Sequence, residues 1–371
     1  MKATTKKILR WSTAAVAAAT TTGLAVLVAT SWTGLASISF GGSSSVLSLV
    51  NEIARIYQPA DIIAVAGGSG AGVNAILAGI KEVGMASKDP GIVGLNPDPN
   101  DPRYQRWEAK RVKTTTIAWD GIVLVYKPLH AAPPITIDED NLARVYAALS
   151  GVKQLTLADL GLTNQMAPIV PFARNGGALT SGTADAFWKD AHLDYQTSTY
   201  WHDLSPSEQM AIATNLTTGE YPIHVQQTAE SNSQTWDRIK NAPPGAMTYL
   251  SAGFALNHRE EIRRQGFELA SYAGGIAPTT TTIARGYNWF RPFNLMFSLD
   301  FVNRPPGQKI RDLITWIFSA PEAQAVISAN GYINLAPEQI QSMSLPDRDF
   351  FDSPDVLLHR SGAQPNPYIK G

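Results

Sequence analysis

The apolar residues change their period several times along the chain, and the changes follow one recurring order. Residues 37–40 read as a short strand. After the turn Gly41-Gly42-Ser43-Ser44-Ser45, the residues Val46, Leu49, Val50, Ile53 and Ile56 recur at helical spacing. The unit repeats at once: the apolar run after Asp61 is a buried strand, Gly67-Gly68-Ser69-Gly70 a turn, and 71–81 a helix. A further short strand covers 83–87. A third strand–turn–helix unit begins with a strand over 167–172, passes through the stretch RNGGALTSGT from Arg174 to Thr183, and enters a helix after Ser181. Such units predict a parallel sheet with its Gly/Ser turns at the carboxyl ends of the strands, where open α/β sheets bind ligands.

Other segments join these units. Residues 113–126 are β-branched and about twice the usual strand length, so they fit a strand passing from one lobe to another. The aromatic segment 287–299 is a second crossing strand of the same kind. Helices are expected over 138–149, from the Ser205-Pro206-Ser207-Glu208 start, over 308–319, and over 321–330 with Gly331 as its stop. Strands are expected over 221–225 and 246–250. Residues 226–240 are polar with weak periodicity, with Trp236 and Ile239 facing inward. Residues 89–103 and the stretch after Pro346 read as loop.

Composition narrows the class. Of 371 residues, 44% are hydrophobic and 16% charged, which is the make-up of a core-rich globular chain with room for two domains. The net charge of −1 provides no basic field for nucleic acid, so any anion must be held by a local site. The absence of cysteine removes disulfides, thiol nucleophiles, thiolate metal sites and a lipid-modified cysteine. The 6 histidines show no metal-ligand spacing, and no cofactor is expected. Lys2, Lys6, Lys7 and Arg10 precede an uncharged run over 11–36. Residues 1–36 therefore read as a signal peptide or a retained membrane anchor, with the remainder outside the cytoplasm.

The turns supply the candidate chemistry. Helix starts leave N–H groups unpaired at the positive end of the helix dipole. The hydroxyls of Ser45, Ser69, Ser181 and Thr183 and the guanidinium fork of Arg174 would complete a shell for a tetrahedral oxyanion. Each part also has a plainer reading: Ser43 to Ser45 as helix caps, 67–72 as a tight turn, Arg174 as a surface ion-pair partner.

The ordered set Gly-Ser-Ser-Ser-Val (42–46), Gly-Ser-Gly-Ala-Gly-Val (68–73), Gly-Met-Ala-Ser (84–87), Ile-Ala-Trp-Asp-Gly (117–121), Arg174 with Ser-Gly-Thr (181–183), Gly-Ala-Met-Thr-Tyr (245–249) and Gly-Tyr-Ile-Asn-Leu (331–335) resembles the phosphate-binding subunit of bacterial phosphate ABC importers. The resemblance implies an α/β, two-lobed type II periplasmic-binding-protein fold with two crossing hinge strands, preceded by the signal or anchor helix. One lobe would comprise 37–119 and 291–371, the other 120–290. It implies a monomer that binds inorganic phosphate and partners ABC permease subunits and an ATPase. The implied contacts are Ser45, the Val46 N–H, Ser69, Arg174, Ser181, Gly182 and Thr183.

Two departures stand out from the family pattern: Gly177, Ala178 and Leu179 look inserted between Arg174 and Ser181, and Lys88 stands where many members carry an acceptor Asp. Asp89 and Asp120 are the candidate proton acceptors. The rival readings are a secreted phosphate-ester hydrolase and a surface-attached relative used in adhesion or sensing.

Overall fold

The computed structural model describes residues 36–88, 100–189, 195–283 and 285–337. The expected N-terminal signal or anchor, the loop around Asp89 and the stretch after Pro346 lie outside the described residues. One nine-stranded mixed sheet organises the chain. Its strands are β1 (Ala36–Gly42), β2 (Ala60–Ala66), β3 (Val83–Ala86), β4 (Val112–Tyr126), β5 (Val170–Arg174), β6 (Gln226–Thr228), β7 (Ala246–Ser251), β8 (Glu268–Leu269) and β9 (Phe290–Ser298). The order is β2-β1-β3-β9-β4-β7-β5-β6, with β8 also paired to β4. The helices that matter here are α1 (Ser44–Ile56), α2 (Ser69–Ala78), α3 (Glu139–Leu149), α4 (Gly182–Lys189), α5 (Pro206–Thr218), α6 (Asn232–Ile239), α7 (Gln308–Ser319) and α8 (Pro321–Ala329).

β1 pairs in parallel with β2 and β3, and β5 in parallel with β6 and β7. Between these parallel groups run the antiparallel β4 and β9, paired from Phe290 opposite Gly121 to Ser298 opposite Val112. All 15 residues of β4 are buried, Lys113 and Asp120 among them, so the strand is covered on both faces. Its first part pairs with β9 and its last part, from Ile122, with β7. The apolar core divides along the same line. One cluster packs residues such as Ile38, Val46, Leu49, Ile117, Phe293, Leu313 and Ile317. A second packs residues such as Val123, Leu142, Phe187, Ile212, Tyr249 and Trp289, and a smaller third packs Val73, Ile76, Leu77, Trp107 and Met296 beside α2. This is the two-lobed α/β fold with crossing strands that the sequence resemblance implies.

β9 contains a proline at 292, which a central strand rarely tolerates because the ladder loses a donor. β3 pairs with β9 only over Asn294, Leu295 and Met296, so at Pro292 the strand has β4 alone as neighbour, and the register shifts between Phe293 and Asn294. The early end of β3 pairing also leaves room beside Arg291 for the end of β3 and the start of α1.

Local differences from the sequence reading have physical causes. The strand expected over 221–225 forms instead at Gln226–Thr228, where polar residues suit a sheet edge, and Ile223 is left 99% exposed. The three residues that look inserted form one extra helical turn, Gly177–Thr180, before α4. Helices at Pro102–Ala109, Ala252–Asn257 and Arg259–Arg264 escaped the periodicity argument, being only one to two turns long.

Candidate functional site

Three helices begin at one place. α1 follows β1 through Ser43, whose side chain caps the helix by accepting the Val46 N–H at 3.4 Å. α2 follows β2 through Gly68, and α4 follows the extra turn through Ser181, whose Oγ accepts the Ala184 N–H at 3.1 Å. The hydroxyls at these starts touch one another. Ser43 Oγ donates to Ser87 Oγ at 2.9 Å, Ser69 Oγ lies 3.4 Å from Ser87 Oγ, and Ser45 Oγ lies 3.2 Å from Thr183 Oγ1. The Ser87 N–H donates to Ser69 Oγ at 3.1 Å. Ser45, Ser69, Ser87, Ser181 and Thr183 are all buried.

Gly182 is required by this crowding. A Cβ there would stand 1.9 Å from Ser87 Oγ and 2.7 Å from Ser69 Oγ, so a bare backbone allows α4 of one lobe to meet α2 and the end of β3 of the other.

A guanidinium that the sequence reading did not single out closes the cluster. Arg291, fully buried on β9, donates from Nη2 to Ser45 Oγ at 2.9 Å and from Nη1 to Thr183 Oγ1 at 2.9 Å and Ser87 Oγ at 3.3 Å. Its Nε and Nη2 also donate to Asp120 Oδ2 at 3.1 and 2.8 Å. Asp120 is its direct cross-strand neighbour on β4. Asp120 Oδ1 accepts from Ser251 Oγ at 2.7 Å and from the Gly253 N–H at 3.2 Å. Four donors fill the lone-pair positions of a carboxylate. Asp120 is thus occupied in holding Arg291, and in this arrangement has no acceptor to offer a ligand's proton.

Arg174 sits apart from this cluster. It is fully buried, but its Nη1 donates to Ala229 O, Glu230 O and Thr235 Oγ1 at 2.9, 2.8 and 2.7 Å, and its Nη2 to Asn232 Oδ1 at 2.6 Å. The extra turn separates Arg174 from α4, and the guanidinium organises the start of α6 instead. Burial lowers its pKa to about 10, against the raising influence of Tyr249 and Glu230. The Glu230 carboxyl lies close by. Burial pushes its pKa up, with Arg174, a Ser181 hydrogen bond, Arg291 and Lys88 acting in the opposite direction. Its Oε1 is buried without a hydrogen-bond partner.

The second lobe fixes α4 through its aromatic core. Phe187 stacks on Tyr249 at 4.3 Å and 9°, and Tyr146 meets Phe187 edge-on at 4.7 Å. Trp289, beside β9, donates from Nε1 to Ala186 O at 3.3 Å. Aromatic pairs of this kind add about 0.5–1.5 kcal/mol each beyond their burial, so the direction of the α4 N-terminus is well determined.

Of the residues expected from sequence, Ser45, Ser69, Gly182 and Thr183 meet directly or through Ser87. Val46 and Ser181 belong to the helix starts around them, while Arg174 points to the 229–235 segment. The signal for Arg291 was present as an Arg-Pro pair inside an apolar strand, where a lone charge demands a buried partner. Among the described residues, no group of three or more His, Asp or Glu side chains could hold a metal ion.

A sequence profile of the PBP superfamily domain matches residues 27–320. A lipoprotein of Mycoplasma genitalium described as uncharacterized is 29% identical over 308 residues, covering 76% of this chain and 77% of its own. An ABC-type phosphate transport receptor from Vibrio cholerae superposes with a TM-score of 0.53 at 18% identity, over 80% of this chain and 100% of its own. A phosphate-binding protein from Stenotrophomonas maltophilia gives 0.58 at 14% identity, over 83% and 92%.

Proposed function

This chain belongs to the PBP superfamily, and from that premise we propose that it is a solute-binding protein that captures inorganic phosphate between its lobes and delivers it to an ABC importer. The observation that carries the reading is the convergence of Ser45, Ser69, Ser87 and Thr183, from three helix starts and the end of β3, around the Arg291 guanidinium. The proposed shell comprises these hydroxyls, the N–H groups of Val46, Gly182 and Thr183, and Arg291. Ser181 caps α4, and Arg174 braces the second lobe with its charge nearby.

Charge accounting supports a dianion. Arg291 is paired with Asp120, so the pair is neutral as a unit. Three helix N-termini each present roughly half a positive charge, together about +1.5, in a site closed to water. The hydroxyls now bonded to one another rotate to donate once an oxyanion separates Ser45 from Thr183. Charge-assisted hydrogen bonds contribute about 1.5–3 kcal/mol each, enough in number here for micromolar or tighter binding.

At Ser45 and Thr183 the same geometry disfavours an ester hydrolase. A nucleophilic serine needs a base to take its proton, whereas Ser45 and Thr183 face a guanidinium, which cannot accept one. The surface-attached relative would share this site and differ only in its partners. Placement outside the cytoplasm accords with the likeness to a lipoprotein, although this chain, lacking cysteine, would be held through residues 1–36.

Calorimetry of the full chain with phosphate and sulfate tests the proposal. Phosphate is expected to bind, with Arg291→Ala weakening it at least 100-fold, about 2.7 kcal/mol, and Ser45→Ala about tenfold, about 1.4 kcal/mol. Arg174→Ala is expected to cost less than Arg291→Ala. Phosphate affinity indifferent to Arg291 and Ser45 would remove the site from the hydroxyl cluster.

A further inference from the structure

One charged side chain bridges the lobes without belonging to the shell described above. Lys88 follows β3, and its carbonyl is held to β9 by Asn294 Nδ2 at 3.0 Å. From that anchored backbone its side chain crosses to the second lobe, where Nζ donates to Ala178 O at 2.9 Å and lies 3.4 Å from Asp185 Oδ1. The two side chains are 17% and 8% exposed, so the pair is screened far less than a surface ion pair. Both of its partners depend on the second lobe's local structure. Asp185 is in the first turn of α4. Ala178 belongs to the extra turn, which is seated on α5 so closely that a Cβ on Gly177 would stand 2.4 Å from Leu216 O. The extra turn and Lys88, the two departures from the family pattern, are therefore one structural feature: the turn supplies the carbonyl that the lysine takes.

We propose that Lys88 is a cross-cleft latch that holds the lobes closed through Ala178 and Asp185 and so sets how fast a bound anion leaves. Opening the cleft separates Lys88 Nζ from Ala178 O and Asp185 and leaves each to water, so these charge-assisted contacts act in the closed state alone and favour it. A group that acts in one state only shifts the population by its whole contribution. In a binding protein such a bias acts mainly on the dissociation rate. The neighbouring hydroxyl contact, Ser44 Oγ to Glu230 O at 3.0 Å, closes the same mouth without charge.

Release of phosphate rests on the anion-binding reading, but closure does not, and the experiment separates them. The chain has no cysteine, so single cysteines at exposed Arg55 and Asp237, one on each lobe, take a donor–acceptor dye pair cleanly. In ligand-free protein, Lys88→Ala is expected to lengthen the interlobe distance and Asp185→Asn to lengthen it less, while Lys88→Arg restores closure. Stopped-flow release of phosphate should be at least fivefold faster in Lys88→Ala than in wild type. Identical distance distributions for wild type and Lys88→Ala overturn the latch, whether or not phosphate binds. Should Lys88→Ala fail to fold, the same comparison with Asp185→Asn decides. A lengthened distance with no heat on adding phosphate keeps the latch and removes the phosphate reading.

Discussion

Replacing Arg291 by alanine tests whether the centre of the site is a buried ion pair that the fold depends on. The substitution removes two hydrogen bonds to Asp120 and three to Ser45, Ser87 and Thr183. Breaking a buried pair from one side costs about 3–5 kcal/mol, because the remaining charge stays buried without its partner. Asp120 would keep Ser251 Oγ and the Gly253 N–H, which places the expectation at the lower end, about 3 kcal/mol. With a urea slope of about 3 kcal/mol per M, the unfolding midpoint should fall by about 1 M. Removing both charges should be milder. Arg291→Met combined with Asp120→Asn is expected to recover at least half of the loss, since no charge is then stranded. Urea unfolding of wild type, Arg291→Met, Asp120→Asn and their double variant, followed by tryptophan fluorescence, yields the coupling directly. A single variant Arg291→Ala as stable as wild type, or a double variant no better than the single one, would refute the reasoning.

Two further outcomes follow from the same geometry. Gly182→Ala should fold with its lobes parted and its stability lowered, since a Cβ would stand 1.9 Å from Ser87 Oγ and 2.7 Å from Ser69 Oγ. It should also bind phosphate at least tenfold more weakly, because the same Cβ opposes closure on the anion. Thermal unfolding and calorimetry on one preparation check this, and an unchanged affinity contradicts it. Glu230→Gln should show a pH signature. Burial raises the folded-state pKa of Glu230, so the neutral carboxyl costs nothing below the ordinary glutamate value near about 4.3, and a penalty grows as pH rises through the raised folded value. Wild type should thus lose stability relative to Glu230→Gln as pH rises above about 4, the ordinary glutamate value, toward the raised folded value. A difference in melting temperature that stays constant across that range rejects the assignment.

Local rules made most of the fold legible. Val46, Leu49, Val50 and Ile53 announce α1 by spacing alone, and all four are buried. The long, β-branched-rich run that became β4 announced a strand passing between the lobes, and its residues are buried throughout. The site was legible where it consists of helix starts, because Ser45, Ser69 and Thr183 sit next to glycine-rich turns that have to end strands. Arg291 was not, because its importance comes from where β3 stops pairing with β9, and that boundary is a property of the assembled sheet. Arg174 shows the limit of spacing for a related reason. Its distance to Ser181 along the chain does not say where its donors go: Nη1 and Nη2 bond the 229–235 segment, while Nε is buried without a hydrogen-bond partner.

The position of Arg291 also bears on how closure and binding are joined. Its partner Asp120 is directly opposite on the other crossing strand, so the charged centre belongs to the hinge and to neither lobe. Ser45 and Ser87 reach it from the first lobe and Thr183 from the second. Hinge closure moves the lobes about their crossing strands. A guanidinium fixed on those strands keeps its place during that motion, while the hydroxyls travel to it. On the proposed reading, the open protein would already hold its charge oriented by Asp120, and an arriving anion would meet a preformed half of its shell. The remaining half is completed by closing, so binding energy from the second lobe's hydroxyl and amide groups is gained only in the closed state, which is the condition for a ligand to drive closure.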